Sequence, residues 1–259
     1  MKPSAEQRPE SQQSEAPGSD RSSQSDTFAV THVPNAGHCA AVLVFNPSTQ
    51  IKAGQSFGDI AEEGGWPKIL AMAEEFLGIR IDRIAQLEAD ALGPVIDELG
   101  SLQGYSRAGC RADGTDFVEG TNTLNGTTSA IFTAADPVDD AGQTRTRKQH
   151  AVIRTLFQSL KHGGRVEDPN KGAAVLAHFG PGIQHNAELT TVELDKITND
   201  LRTLQTDDIA VVTVLTNSRR LEDGKVVIDF GPEAMPDLKK VLSGSGLADF
   251  FRHLVSLGY

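Results

Sequence analysis

The sequence predicts an α/β protein: one layered domain in which a central mixed β-sheet is flanked by helices. Three observations predict it. Short apolar runs alternate with helical patterns from about Thr27 onward, and no low-complexity linker interrupts that alternation. At 259 residues with 38% hydrophobic content, the chain can bury one sizeable core.

The first residues stand apart. Met1 to Asp26 is rich in Ser, Gln, Glu and Pro and nearly lacks large apolar side chains. Such a segment cannot bury enough surface to offset its ordering entropy, so residues 1–24 are expected to be a disordered tail and 25–259 the domain. Strands are expected at Phe28–Val33 and Ala40–Phe45, joined by the turn residues Pro34, Asn35 and Gly37. A helix follows Gly64-Gly65, with Pro67 near its first position, an apolar stripe of Ile69, Leu70, Ala73, Phe76 and Leu77, and Gly78 as its stop. Ile79–Leu87 reads as a strand. Leu92, Val95, Ile96 and Leu99 then share one helical face before Gly100.

Ser101 to Gly120 is polar and Gly-rich and reads as loop with a short strand. A short helix follows Gly126, and a longer one spans about Thr144 to Leu160 with Val152, Ile153, Leu156, Phe157 and Leu160 inward. In the last third, Thr190-x-x-Glu193 is a capping-box pattern opening a helix through Leu204. Ile209–Thr216 and Lys225–Phe230 read as strands, and helical segments begin near Pro236 and Leu247.

Charge and cysteine usage exclude some functions. A formal charge of −11 argues against broad nucleic-acid binding, although an acidic chain can still hold a local basic pocket. Cys39 and Cys110 form no C-x-x-C pair; two isolated thiols are the favoured reading, with a disulfide between them the alternative. The seven His show no H-x-x-x-H or H-E-x-x-H spacing, so zinc hydrolysis is not expected; His32 and His38 flank a turn and read as surface residues. No G-x-S-x-G elbow, P-loop or G-x-G-x-x-G is present, and Gly180-Pro181-Gly182 is a turn signal. No apolar h-region opens the sequence, and no run approaches the roughly 18 to 20 apolar residues of a membrane span. With Met1 as the natural start, a cytoplasmic protein is expected; otherwise an extracytoplasmic one whose anchor has been removed.

The most informative local feature is Arg145-Thr146-Arg147-Lys148-Gln149, which places three cations at a helix start. Each opposes the helix dipole by ~0.3 to 1 kcal/mol, so helix stability does not favour them. Arg145, Lys148 and Gln149 lie three and four residues apart on a row continuing into Val152 and Leu156, so its head is expected at the rim of a cleft. Helix N-terminal amides with such cations suit a phosphate or pyrophosphate. The same residues also read as a solvated helix start whose stems cover apolar surface. Asp20 and Asp26, just ahead of the first strand, offer hard oxygen ligands of the kind magnesium takes. An Asp before a strand is more often a turn residue, the reading favoured for Asp20 and left open for Asp26.

These pieces, in this order, resemble the LytR-CpsA-Psr family. Gly64-Gly65-Trp66-Pro67, Glu74-Glu75-Phe76-Leu77-Gly78-Ile79-Arg80-Ile81-Asp82 and Val95-Ile96-Asp97-Glu98-Leu99-Gly100 resemble three of its signatures. Leu124-Asn125-Gly126 resembles its L-D-G, Asp140 to Gln149 its D-F-G-R-x-x-R-Q, and Ser25-Asp26-Thr27 its S-D-T. The resemblance implies a mixed sheet with helices, a magnesium ion on carboxylates, arginines on a lipid pyrophosphate, and a polyprenyl chain in an apolar tunnel. It implies transfer of a glycopolymer to the cell wall by attack of an acceptor hydroxyl on the sugar-side phosphorus.

The carry-over is partial. By the resemblance, Asp26 and Arg145 are the candidate catalytic residues; Arg145, Lys148 and Gln149 hold the ligand; and Asp26 with Asp20 holds magnesium. Lys148 stands where an arginine is usual and cannot grip phosphate bidentately. Gln24, Ser48, Ala134 and Asp136 occupy positions where the family has arginines, and Thr49 follows Ser48 where its P-R-D ends in a carboxylate. Each lost charged contact is worth ~1.5 to 3 kcal/mol. The expectation is therefore a divergent member whose transfer activity is lost or repurposed, with a cleft for a hydrophobic small molecule or a polyprenyl (pyro)phosphate. Repurposing could yield a cytoplasmic biosynthetic enzyme. The alternatives are a non-catalytic binding or regulatory module, or an active transferase in which Arg107 or Arg111 replaces a missing arginine.

Overall fold

The computed structural model describes residues 28–32, 40–52, 54–81, 85–87, 89–137, 140–162, 168, 178, 183–185, 209–214, 216–222, 226–230, 238–239, 242 and 249–250. The expected N-terminal tail, Asp20, Asp26, Cys39, His38, Gly180–Gly182 and the helix from Thr190 to Leu204 lie outside these residues.

A mixed sheet forms the centre. Strand β1 (Phe28–His32) runs antiparallel to β2 (Ala40–Phe45), and β11 (Ile209–Thr213) lies parallel to β2 on its other side. All six β2 side chains are buried because both faces of the sheet are covered. Ala41, Leu43 and Phe45 face one layer, packing with Phe57 and Leu77 of α1 (Phe57–Leu77) and with Leu238 and Leu242. Val42 and Val44 face the other, packing with Val211 and with Ile153 and Phe157 of α4 (Gln143–His162). The period of two along A-A-V-L-V-F thus divides one strand between two cores.

A second core lies under α4. Helices α2 (Ala89–Leu99) and α3 (Gly126–Ala134) pack with strands β6 (Leu102–Ser106) and β9 (Gly120–Leu124), burying Ile96, Leu102, Phe117, Leu124, Phe132 and Val152. β6 and β9 are antiparallel, with Leu102 opposite Leu124 and Ser106 opposite Gly120. The hairpin β7 (Cys110–Ala112) and β8 (Thr115–Phe117) projects between them in sequence. The remaining strands pair in antiparallel twos: β3 (Gln50–Lys52) with β4 (Gln55–Ser56), β5 (Ala85–Leu87) with β10 (Ile183–His185), and β12 (Thr216–Arg220) with β13 (Val226–Phe230).

Four expectations change. α1 begins at Phe57, not near Pro67: Ser56 and Asp59 form a reciprocal capping box there, and Gly65 (φ 56, ψ −154) breaks the helix before Pro67 restarts it. Ile79–Leu87 is not one strand. Gly78 turns left-handed, the Glu74 carboxylate accepts from the Ile81 amide at 2.8 Å, and the described strand of this stretch is Ala85–Leu87. Ser101–Gly120 is mostly paired backbone, since Leu102, Gly104 and Ser106 alternate inward with exposed Gln103 and Tyr105. Ile209–Thr216 divides at Val214 into the end of β11 and the start of β12. At the C-terminal end, Leu238, Lys239, Leu242, Asp249 and Phe250 are helical. Among the described residues, no helix is long and apolar enough to cross a membrane.

Candidate functional site

Two of the segments singled out by the resemblance meet at the start of α4. Asn46, buried beside the Pro47-Ser48-Thr49 turn, donates from Nδ2 to the Ala141 carbonyl at 3.1 Å. Its Oδ1 accepts from the Ser48 amide at 2.8 Å. One side chain therefore fixes the end of β2 against the loop that opens α4. Sequence reasoning missed Asn46, although Asn-Pro is itself a turn signal.

One amide at that helix start, that of Thr144, already has an anionic partner from the chain. The Asp140 carboxylate accepts from the Thr144 amide at 3.0 and 3.2 Å and from its hydroxyl at 2.6 Å. Thr146 bonds the Gly142 carbonyl through both its amide and its hydroxyl at 2.9 Å. Ala141 (φ 55) and Gly142 (φ 79) turn left-handed to bring Asp140 round, and the Arg145 guanidinium lies against Gly142. An incoming phosphate would have to displace Asp140 to reach the Thr144 amide.

The two cations assigned to the ligand are also engaged by the chain. Arg145 Nη1 lies 3.4 Å from Asp136 Oδ2, with side chains 11% and 28% exposed. Lys148 is only 1% exposed, its ammonium 5.1 Å from the Phe132 ring centre and donating to the Ala135 carbonyl. Ala135 caps α3, so Lys148 meets the negative end of that helix dipole. Burial is the main cause that pushes the Lys148 pKa down; Arg145 adds to it, while Cys110 and Asp136 oppose it. The row expected at a cleft rim is therefore sunk at Lys148. Gln149 follows it inward at 5% exposure, and Arg145 lies between rim and core.

The Ala134–Asp136 segment explains this arrangement. Where the resemblance places two arginines, the chain has an alanine and a carboxylate, and the carboxylate draws in Arg145. At the turn after β2, Ser48 and Thr49 leave no formal charge, and the fully buried Thr49 hydroxyl has no hydrogen-bond partner. The described residues do not by themselves fit a magnesium centre: no three of their His, Cys, Asp and Glu side chains cluster to hold a metal. Asp20 and Asp26, expected to hold it, lie outside the described residues. Cys110 is a free thiol.

Other signature residues are structural joints. Asp97 Oδ1 accepts from the Gly126 amide at 2.7 Å, tying α2 to the start of α3, and Asn125 caps α3 through the Thr128 amide at 2.8 Å.

No curated protein matches the sequence. Among solved structures, TagV of B. subtilis is similar with a TM-score of 0.70 at 15% identity, over 84% of this chain and 87% of that one. A transcriptional regulator from Enterococcus faecalis gives 0.65 at 17% identity, over 84% and 81%. TagT bound to LI-WTA gives 0.64 at 15% identity, over 84% and 83%. At such identities the likeness establishes the mixed α/β fold. The family assignment comes from the sequence: the LytR_cpsA_psr family model matches residues 8–242, and the chain belongs to that family.

Proposed function

We propose that this chain is a LytR_cpsA_psr protein that has given up glycopolymer phosphotransfer and retains a binding cleft for a hydrophobic ligand, either a polyprenyl (pyro)phosphate or another hydrophobic small molecule. The observation that carries the reading is the neutralisation of Arg145 by Asp136, which is the residue standing where the family has an arginine. Transfer depends on charge that strengthens its hold as the transition state forms. Here the guanidinium would face a carboxylate at 3.4 Å throughout, and Lys148 is buried against Phe132.

Support for an apolar ligand comes from the α4 layer. Ile153, Leu156 and Phe157 are only partly buried, although each packs on a core cluster. The family's polyprenyl tunnel would lie between this helix and the sheet. Magnesium is an accessory in this reading: Asp26 with Asp20 would hold it, and it would offset charge on the ligand's phosphate.

The test uses the full chain with a polyprenyl pyrophosphate-linked glycan, magnesium and an acceptor glycan. Transfer should not exceed background. A long-chain polyprenyl phosphate should raise the Tm, since a ligand that binds only the folded state stabilises it by RT ln(1 + [L]/Kd). Repeating the titration without magnesium reads the metal's contribution. Magnesium-dependent turnover abolished by Arg145→Ala would overturn the loss of activity. Absence of a thermal shift with every prenyl or acyl ligand would overturn the cleft.

A further inference from the structure

Asn125-Gly126 is the single Asn-Gly pair in the sequence, and the fold leaves its asparagine exposed to water. Packing imposes the glycine. A Cβ at position 126 would lie 2.4 Å from the Gly93 carbonyl oxygen and 2.6 Å from Asp97 Oδ2, so α2 and α3 could not meet around a larger residue. An exposed asparagine is followed, then, by a residue whose missing side chain leaves its own amide nitrogen unshielded. That pairing favours attack of the backbone on the side chain. The Gly126 nitrogen bonds to Asn125 Cγ, its proton passes through water to Nδ2, and Nδ2 departs as ammonia to leave a five-membered imide. Water reopens the imide at either carbonyl, giving aspartate or isoaspartate.

The folded chain opposes each part of that reaction. The Gly126 amide donates to Asp97 Oδ1 at 2.7 Å, a bond to an anion that keeps the proton on the nitrogen and fixes the peptide plane. Asn125 Oδ1 accepts from the Thr128 amide at 2.8 Å, and the Asn125 amide donates to the Thr128 hydroxyl at 2.9 Å. Asn125 is extended at ψ −177, whereas ring closure brings its Cβ and the Gly126 nitrogen into one plane and turns ψ away from that value. Asp97 belongs to α2 and Thr128 to α3. Reaction therefore requires α2 to draw back from the start of α3 and the α3 cap to break.

We propose that Asn125-Gly126 is a self-modification site that the α2–α3 contact holds unreactive, with Asp97 as the restraining residue. Separation of the two helices frees it, and conversion to isoaspartate makes that separation permanent. Isoaspartate routes the main chain through side-chain carbons, so the capping box cannot re-form; aspartate is as good a cap as asparagine and restores it. The site goes beyond the proposed function and does not depend on any ligand.

The experiment follows Asn125 in the full chain by peptide mass mapping in mildly alkaline buffer, with isoaspartate counted by enzymatic methyl transfer. Conversion in the native protein should be slower than in the urea-unfolded chain by on the order of a hundredfold, as loss of the Asp97 and Thr128 bonds on opening implies. Asp97→Asn keeps an acceptor but removes the charge; it should speed native conversion about tenfold and leave the unfolded rate unchanged. Thr128→Val, which loses the hydroxyl and keeps the amide, should speed it by a smaller factor and serves as the test if Asp97→Asn does not fold. His150→Gln, a change on the α4–β11 contact away from α3, should convert at the wild-type rate. Asn125→Asp should keep the wild-type Tm, and the purified isoaspartate form should melt lower. Equal rates in native and unfolded chains, or an Asp97→Asn rate (Thr128→Val where that chain does not fold) equal to wild type, would overturn the proposal. So would acceleration by His150→Gln as large as by Asp97→Asn, which would make global unfolding the route, or an isoaspartate form that melts with wild type.

Discussion

The Arg145 guanidinium lies 3.4 Å from the Asp136 carboxylate, joining the second residue after α3 to the first turn of α4. The pair spans the 137–142 connection, so it closes the loop that carries the Asp140 cap. With the two side chains 11% and 28% exposed, water screens it less than a surface pair, though not as little as a core one. Asp136→Asn and Arg145→Gln should each lower stability by about 1 to 2 kcal/mol, as loss of a charge-assisted contact implies. In a urea double-mutant cycle the two substitutions should couple by a comparable amount. Coupling near zero would show that Arg145 is positioned by other contacts.

Lys148 supplies a second test, because its role in the fold and its expected role at a phosphate predict different outcomes. Its stem occupies the core beside Phe132 and its ammonium meets the Ala135 carbonyl. Lys148→Met keeps most of the volume and removes the buried charge, so its stability should stay within about 1 kcal/mol of wild type or rise. Lys148→Ala leaves a cavity and should cost about 2 to 4 kcal/mol. Denaturant midpoints for the two variants check the order. A Lys148→Met protein as unstable as Lys148→Ala would mean that the charge itself holds α3 to α4.

What could be read from the sequence was whatever repeats along the chain. The run Ala40–Phe45 and the stripe through Val152, Ile153, Leu156 and Phe157 became β2 and α4 within two residues at either end. The interior of α1 was legible from Pro67 onward, while its first turn was not, because Ser56 and Asp59 cap a segment whose Gly64-Gly65 reads as a boundary. The site was legible only as a set of residue types. Arg145 and Lys148 were found by their spacing, but their partners Asp136, Ala135 and Phe132 come from another helix and its C-terminal extension. Periodicity within α4 carries no information about them. Asp140 lay in plain view ahead of the helix, yet whether it caps the amides or leaves them for a ligand depends on the left-handed turn at Ala141 and Gly142.

Gly126 shows that close packing can require a signature residue, beside the hydrogen bond its amide donates to Asp97. A Cβ there would sit 2.6 Å from the Asp97 carboxylate and closer still to the Gly93 carbonyl, where α2 and α3 approach each other. The opposing atoms include backbone within a helix, which cannot swing aside as a flexible side chain could. Gly126→Ala should therefore destabilise the protein by about 2 to 4 kcal/mol through overpacking, with the loss visible in the thermal midpoint. A loss below about 0.5 kcal/mol would mean that the two helices slide apart freely, and the close approach would explain nothing.

His150 gives the fold a defined pH dependence. Its Nε2 lies 2.7 Å from the Val211 carbonyl, and its Nδ1 lies 2.9 Å from the Thr213 hydroxyl, joining α4 to β11. A carbonyl only accepts, so Nε2 carries the proton and Nδ1 accepts from Thr213 in the neutral ring. Burial is the main cause that pushes the His150 pKa below 6.5, with Arg154 adding repulsion, while the bond to Val211 acts in the opposite direction. The folded state therefore binds its proton less readily than the unfolded chain. The stability this contributes is present above pH 6.5 and is lost as the pH falls from there through the folded value. Melting temperatures should drop between pH 7.5 and pH 5.5. His150→Gln, which loses ring contacts but cannot titrate, should be less stable at pH 7.5 by about 1 to 2 kcal/mol and should show a smaller drop over that interval. A pH profile parallel to wild type in His150→Gln would assign the acid sensitivity to other groups and remove His150 from the account.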